Sequence, residues 1–101
     1  MFDNKENRFM TRSIAESIHP EIALLLWNLI DSKKKLNAPL DYLQVFELSE
    51  SNGKQVIIQS QEVPEMRSFH ILPLKQAVPI TKTIWCIDNR ETEMMLFPED
   101  Y

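Results

Sequence analysis

The chain has 101 residues, 44% hydrophobic and 26% charged, which excludes a disordered chain and predicts one folded domain over residues 1–101. The formal net charge of −4 is spread over both halves and argues against nucleic acid as a partner. The single cysteine, Cys86, excludes an internal disulfide and favours a cytoplasmic location, and the longest apolar run, residues 22–30, is too short to cross a membrane.

The first half of the sequence predicts a short strand and one long helix. Residues 8–12 alternate weakly and predict an edge strand. A helix is expected over residues 20–34, because Pro20 suits the first helical position and the lysines at 33–35 favour the negative end of the helix dipole. This helix is the main helical element that we expect.

The apolar side of this helix is wide. At about 100° per residue, the apolar side chains of residues 22–30 span roughly 200°, although a helix on one sheet needs little more than about 100°. The N-terminal segment around Phe2, Phe9 and Ile14 could cover the surplus within the chain. Otherwise a homodimer would cover it. The partner interface would then consist of four helix residues: Ala23, Leu24, Trp27 and Ile30.

Residues 42–50 and 54–61 predict a β-hairpin, because both are rich in β-branched, aromatic and leucine residues. A two-residue loop would place Phe46 opposite Gln59, so we expect a three-residue loop over residues 51–53. That register gives one core face with four apolar residues: Phe46, Leu48, Val56 and Ile58.

The last third of the sequence predicts further strands. Residues 67–72 form either a third strand or an extended crossover, whereas 81–87 and 94–97 form two partner strands joined by a polar turn. The fold class that follows is α+β, with one main helix (20–34) packed on a mainly antiparallel sheet of four to six strands.

The residue types needed for catalysis or cofactor binding are sparse. With Gly53 as its only glycine, the chain has no phosphate-binding loop, and His19, His70 and Cys86 lack the short spacings of zinc sites. Cys86 with His70 as base is the sharpest nucleophile hypothesis, yet Trp85 and Ile87 flank the thiol and favour a core role. We therefore predict no enzyme, no catalytic or metal-binding residue and no cofactor.

One basic patch could contact phosphates. It would combine residues 33–35 with Arg8 and Arg12. The helix dipole alone explains the lysines, and no aromatic residues for base stacking lie between them. A nucleic-acid adaptor is therefore kept only as an alternative.

Four segments carry a resemblance to a known family: DYLQVFEL (41–48), SQEVP (60–64), LWNLID (26–31) and EDY (99–101). Together they resemble a family of small Gram-positive bacterial proteins catalogued as domain of unknown function number nine hundred and sixty. The resemblance covers nearly the whole chain and implies a stand-alone domain of about this length. It implies no activity, ligand or catalytic residue.

The segment Ser60, Gln61 and Glu62 is a candidate surface motif. These polar residues leave a strand just before Pro64, which favours an extended exit with outward side chains. The competing interpretation, which the residue types favour, is that they bond only the local backbone. The specific function is unknown from the sequence. Our best hypothesis is a non-enzymatic protein-binding or regulatory module that associates with a protein partner or with itself, and the alternatives are a small enzyme with an unrecognised site or a nucleic-acid adaptor.

Overall fold

The computed structural model describes residues 1–101 and contains six strands, two α-helices and two short 3-10 helices (Lys5–Asn7 and Pro98–Asp100). The elements in chain order are β1 (Arg8–Met10), α1 (Arg12–Ser17), α2 (Pro20–Lys35), β2 (Leu43–Ser51), β3 (Lys54–Gln61), β4 (Met66–Leu72), β5 (Lys82–Asp88) and β6 (Glu93–Leu96). The strands form one sheet in the order β1-β6-β5-β2-β3-β4, antiparallel except for the parallel pair of β1 and β6. The predicted α+β class, with one main helix and a mainly antiparallel sheet, is confirmed.

Helix α2 begins and ends with the expected signals. The Nδ1 atom of His19 accepts the backbone N–H of Glu21 at 3.0 Å, and Pro20 occupies the first turn. Three lysines lie in the last turn, and Asn37 follows with a positive φ of 57°. The prediction of a helix over 20–34 is therefore confirmed, with one further residue.

The short helix α1 was not predicted. Its first turn is capped by Thr11, whose hydroxyl accepts the backbone N–H of Ile14. Six residues with a single buried side chain give too short a periodic pattern to recognise in a sequence. The edge strand predicted over residues 8–12 is confirmed as β1, but it ends at Met10 because Thr11 caps the helix that begins at Arg12.

The loop between β2 and β3 differs from the prediction. Ser51 lies opposite Lys54, so the loop has two residues, Asn52 and Gly53, with φ angles of 52° and 76°. These angles suit a type I′ turn, whose twist matches that of the flanking strands. The expected three-residue loop is wrong.

The corrected register moves two predicted core residues, Val56 and Ile58, to the other face of the sheet. Phe46 lies opposite Gln59, the pairing that the apolar pattern disfavoured. The face that packs against the helices, here called the inner face, carries glutamines among its apolar residues. Along β2 and β3 its residues are Gln44, Phe46, Leu48, Gln55, Ile57, Gln59 and Gln61.

The core lies between the helices and the inner face. It combines Ile14 of α1 and the buried residues of α2 with side chains from four strands. Its residues are Phe2, Ile14, Ile18, Ile22, Ala23, Leu26, Trp27, Ile30, Phe46, Leu48, Ile57, Ile84, Cys86, Met95 and Phe97. The opposite face, here called the outer face, has neither helix packed on it. No helix is both long and apolar enough to cross a membrane.

The connection from β4 to β5 is fastened to the start of α2. The carboxylate of Glu21 accepts the backbone N–H groups of Lys75, Gln76 and Ala77 at 2.7, 2.9 and 2.8 Å. These hydrogen bonds lower the pKa of Glu21 to about 2. The helix N-terminus and residues 73–81 are thereby held together.

Candidate functional site

The predicted partner interface on α2 is mostly inaccessible. Ala23, Trp27 and Ile30 are buried within the chain, and only Leu24 is exposed, at 60%. Phe2 and Ile14 join the same core cluster and provide intramolecular cover, as the alternative expected, whereas Phe9 is 52% exposed and does not take part. Ala23, Trp27 and Ile30 therefore do not present the exposed apolar surface that the predicted homodimer interface requires.

The N-terminal segment is held against the helix by Arg8. Its guanidinium donates to both carboxylate oxygens of Asp31, to Glu93 at 2.8 Å, and lies 4.5 Å from the ring centroid of Trp27. The hydrogen bonds from Arg8 keep the pKa of Asp31 below its usual value. The network has a structural role, and it removes Arg8 from any phosphate-binding surface.

Three of the other four predicted phosphate-binding residues also have partners within the chain, whereas Lys35 is exposed. Lys33 donates to the hydroxyl of Ser68 at 2.5 Å, and Lys34 to Asp3 at 2.6 Å. Arg12 pairs with Glu16 one helical turn away. These contacts occupy most of the cations that the nucleic-acid alternative requires on one face.

Cys86 and His70 do not form a nucleophile and base. They lie on β5 and β4, which are three strand spacings apart, or about 14 Å. Cys86 is fully buried, and burial raises the pKa of its thiol well above the usual value. No three His, Cys, Asp or Glu side chains are placed so that they could hold a metal ion.

A chain of buried glutamines fixes the start of β2 and the end of β3. Gln59 donates to Gln44, and Gln44 donates to Gln61, each at 2.8 Å. Gln61 in turn donates to the carbonyls of Pro39 and Pro64, both at 2.9 Å. Gln61 is thus an internal residue, so its prediction as part of a surface motif is wrong.

Asp41, just before β2, also links the start of β2 to the loop that follows β3. Its carboxylate accepts the backbone N–H groups of Tyr42 at 2.8 Å and of Val63 at 3.1 Å. Gln61 also accepts the backbone N–H of Asp41. These bonds hold the entrance of β2 beside the loop that follows β3.

A groove of about 530 Å³ lies between these ends and extends onto the outer face. It is here called the β2–β4 groove. Its lining includes all three residues of the predicted motif, with Glu62 exposed, Ser60 half-buried and Gln61 forming part of the wall from inside. The complete lining is Asp41, Tyr42, Leu43, Val45, Glu47, Ser60, Gln61, Glu62, Glu65, Met66 and Arg67.

The β2–β4 groove combines negative charge with apolar and aromatic surface. Glu47, Glu62 and Glu65 are exposed, and none of them takes part in a salt bridge or a side-chain hydrogen bond. Arg67 is the only cation in the lining, and Tyr42 is 48% exposed. The residues missed from the sequence come from separate segments, which only the strand register brings together.

The fold and the groove define the class: a small α+β protein with helices on one face of its sheet and an open groove on the other. A family model described as "Staphylococcal protein of unknown function (DUF960)" matches residues 7–100, so the chain belongs to this family and the resemblance seen in the sequence is confirmed. No curated protein matches the sequence.

The fold is also similar to a solved structure. The crystal structure of a protein of unknown function from Enterococcus faecalis has a TM-score of 0.86 and 25% sequence identity, and the match covers 100% of this chain and 98% of that one. Both descriptions state an unknown function, which agrees with the absence of a specific functional signal in the sequence.

Proposed function

We propose that this protein is a non-enzymatic binding module that holds a basic segment of a partner protein in the β2–β4 groove. The observation that carries the proposal is the groove itself, a depression of about 530 Å³ on the uncovered sheet face. Four carboxylates without a cation partner line it, and three of them are exposed. Concave surfaces that join apolar residues to a few convergent polar groups are the usual binding sites of proteins.

The chemistry of the groove suits lysine or arginine side chains. Leu43 and Val45 offer apolar surface to the aliphatic stem, and the ring of Tyr42 can accept a cation on its face. Glu47 and Glu62 lie where the charged end would bind. The net charge of −4 adds a long-range attraction for a basic segment and would repel nucleic acid.

Binding has more support than catalysis or nucleic-acid recognition. Cys86 cannot act as a nucleophile with His70 as its base, because Cys86 is buried and lies three strands away from His70. Most basic residues of the phosphate hypothesis pair with groups of the same chain, with Arg8 as the clearest case. We also propose a cytoplasmic location. The single cysteine can form no internal disulfide, and free thiols are typical of proteins in reducing compartments.

The test uses a fluorescently labelled peptide in which arginines alternate with apolar residues. Its binding to the full chain is followed by fluorescence anisotropy at low and high salt. The double variant Glu47→Gln with Glu62→Gln should weaken binding roughly fivefold to tenfold, because two exposed ion pairs are lost. Affinity for the unaltered protein should fall as salt rises.

The matched control removes two carboxylates elsewhere. Glu91 and Glu99 are exposed and lie outside the groove, so Glu91→Gln with Glu99→Gln changes the net charge equally. This variant should bind almost as tightly as the unaltered chain. Equal weakening in both double variants would show a non-specific charge effect, and no binding by any form would refute the proposal.

A further inference from the structure

The two edges of the sheet differ in how they are protected. Strand β1 has three residues and carries the inward-pointing charge of Arg8, features that prevent pairing with another chain. Strand β4 has seven residues, contains no lysine or proline, and pairs with β3 in an unbroken register from Met66 to Leu72. The β4 edge therefore lacks the usual protection, apart from the charge of Arg67.

The hydrogen-bonding groups that point away from the sheet can be assigned from the register. In a two-residue hairpin, the pair that flanks the loop, here Ser51 and Lys54, exchanges both backbone hydrogen bonds. Alternation along β3 then directs the backbone groups of Ile57 towards β4, where His70 is its partner. By the same alternation, Phe69 turns its N–H and C=O to the free edge.

Three residues of β4 share this orientation: Arg67, Phe69 and Ile71. Their side chains lie on the outer face, where Phe69 is 63% and Ile71 is 47% exposed. None of the backbone hydrogen bonds outside the sheet ladders involves β4. The edge thus offers donors, acceptors and apolar side chains together.

We propose that a second copy of the chain pairs with this edge. The two β4 strands would lie antiparallel about a two-fold axis at Phe69, which joins the two sheets into one. In this register all three outward-facing residues exchange backbone hydrogen bonds, and Phe69 lies opposite Phe69 of the partner subunit.

The pattern along β4 favours a second copy over an unrelated strand. About Phe69 the inner-face residues are symmetric: Met66 pairs with Leu72 of the partner subunit, apolar with apolar, and Ser68 with the partner's His70, polar with polar. Charge is also complementary. Glu62 and Glu65 precede the strand and Lys75 follows it, so antiparallel pairing places opposite charges at the same end.

This surface adjoins the proposed peptide-binding groove but uses different contacts. Of the three residues that exchange hydrogen bonds only Arg67 lines the groove, where Glu62 and Glu65 at the end of the edge also lie. A dimer of this kind would carry two β2–β4 grooves on one continuous outer face. The two proposals can therefore fail separately.

Sedimentation of the full chain over a wide range of concentration tests the pairing. The unaltered protein should associate into a dimer, and Phe69→Lys should remain a monomer, because two lysines would meet at the axis. Thr83→Lys is the matched control, since Thr83 is exposed on the same face but lies on β5. Circular dichroism should show that both variants fold.

A covalent readout complements sedimentation. The Cα atoms of a hydrogen-bonded antiparallel pair are about 5.5 Å apart, which a disulfide can span. Under mild oxidation, Phe69→Cys should form a disulfide-linked dimer and Thr83→Cys should not. Cys86 should not form a disulfide in either variant, because it is buried. A monomeric unaltered chain, equal cross-linking of both variants, or equal dissociation by both lysine variants would overturn the proposal.

Discussion

Arg8 and Asp31 form a two-point ion pair that joins the first strand of the sheet to the last turns of α2. The Nη1 and Nη2 atoms of Arg8 lie 3.1 and 2.5 Å from the two carboxylate oxygens of Asp31. The same guanidinium pairs with Glu93, whose side chain is fully buried. The N-terminal segment that covers the helix is therefore fastened by charge as well as by Phe2.

Replacing Arg8 with methionine should cost about 2 to 3 kcal/mol of unfolding free energy. Methionine keeps the contact with Trp27 but leaves the buried Glu93 without its cation, and removing one partner of a buried pair is strongly destabilising. Urea denaturation followed by tryptophan fluorescence measures the loss.

The control for this prediction is Arg12→Met. Arg12 pairs with Glu16 on the surface of α1, where solvent screens both charges. This variant should lose only a small fraction of the stability that Arg8→Met loses. Equal losses in the two variants would contradict the structural role assigned to Arg8.

The sequence predicts the elements of this fold better than their register. Helix α2 is encoded locally by its proline, its lysines and its apolar repeat, and the strands by β-branched and aromatic runs. The register of β2 on β3 depends on Gln59, which a sequence pattern assigns to solvent. Its burial is possible because Gln44, distant in sequence, accepts its hydrogen bond.

The groove was only partly predictable for the same reason. Residues 60–62 stand out because they leave a strand before a proline, and two of the three line the site as surface residues. Tyr42, Glu47 and Glu65 carry no local signal of binding. They become neighbours only through strand pairing, which involves residues far apart in the chain.

The buried glutamine chain predicts non-additive mutations. Gln44→Leu should cost about 2 kcal/mol, because it removes bonds to Gln59 and Gln61 and leaves the amide of Gln59 without a partner. Adding Gln59→Leu should recover part of that loss. It removes the Gln59 NH₂ group that Gln44→Leu leaves unpaired, together with the Gln59 Oε1 atom, which already lacks a partner.

A double-mutant cycle by urea denaturation measures this coupling. The single variant Gln59→Leu leaves only the Oε1 atom of Gln44 without a hydrogen bond. Its loss of unfolding free energy should therefore be smaller than that of Gln44→Leu. If the double variant lost the sum of the two single losses, the two glutamines would not act as one hydrogen-bonded unit.

The carboxylate of Glu21 predicts a pH-dependent term in stability. Hydrogen bonds from the backbone of Lys75, Ala77 and Gln76 lower its pKa from 4.5 to about 2. A lowered pKa in the folded state means that the unfolded chain binds the proton more tightly, so the stabilisation is present above pH 4.5 and is lost as the pH falls towards 2.

The variant Glu21→Gln isolates this term. At neutral pH it should be less stable than the unaltered chain, because a neutral amide accepts hydrogen bonds from the three N–H groups less strongly than a carboxylate does. The difference in unfolding free energy should shrink between pH 4.5 and about 2, the range set by the lowered pKa of Glu21. Other carboxylates titrate in both proteins, so the difference between the two curves reports Glu21 alone. A constant difference across this range would show that residues 75–77 are not held by the charge of Glu21.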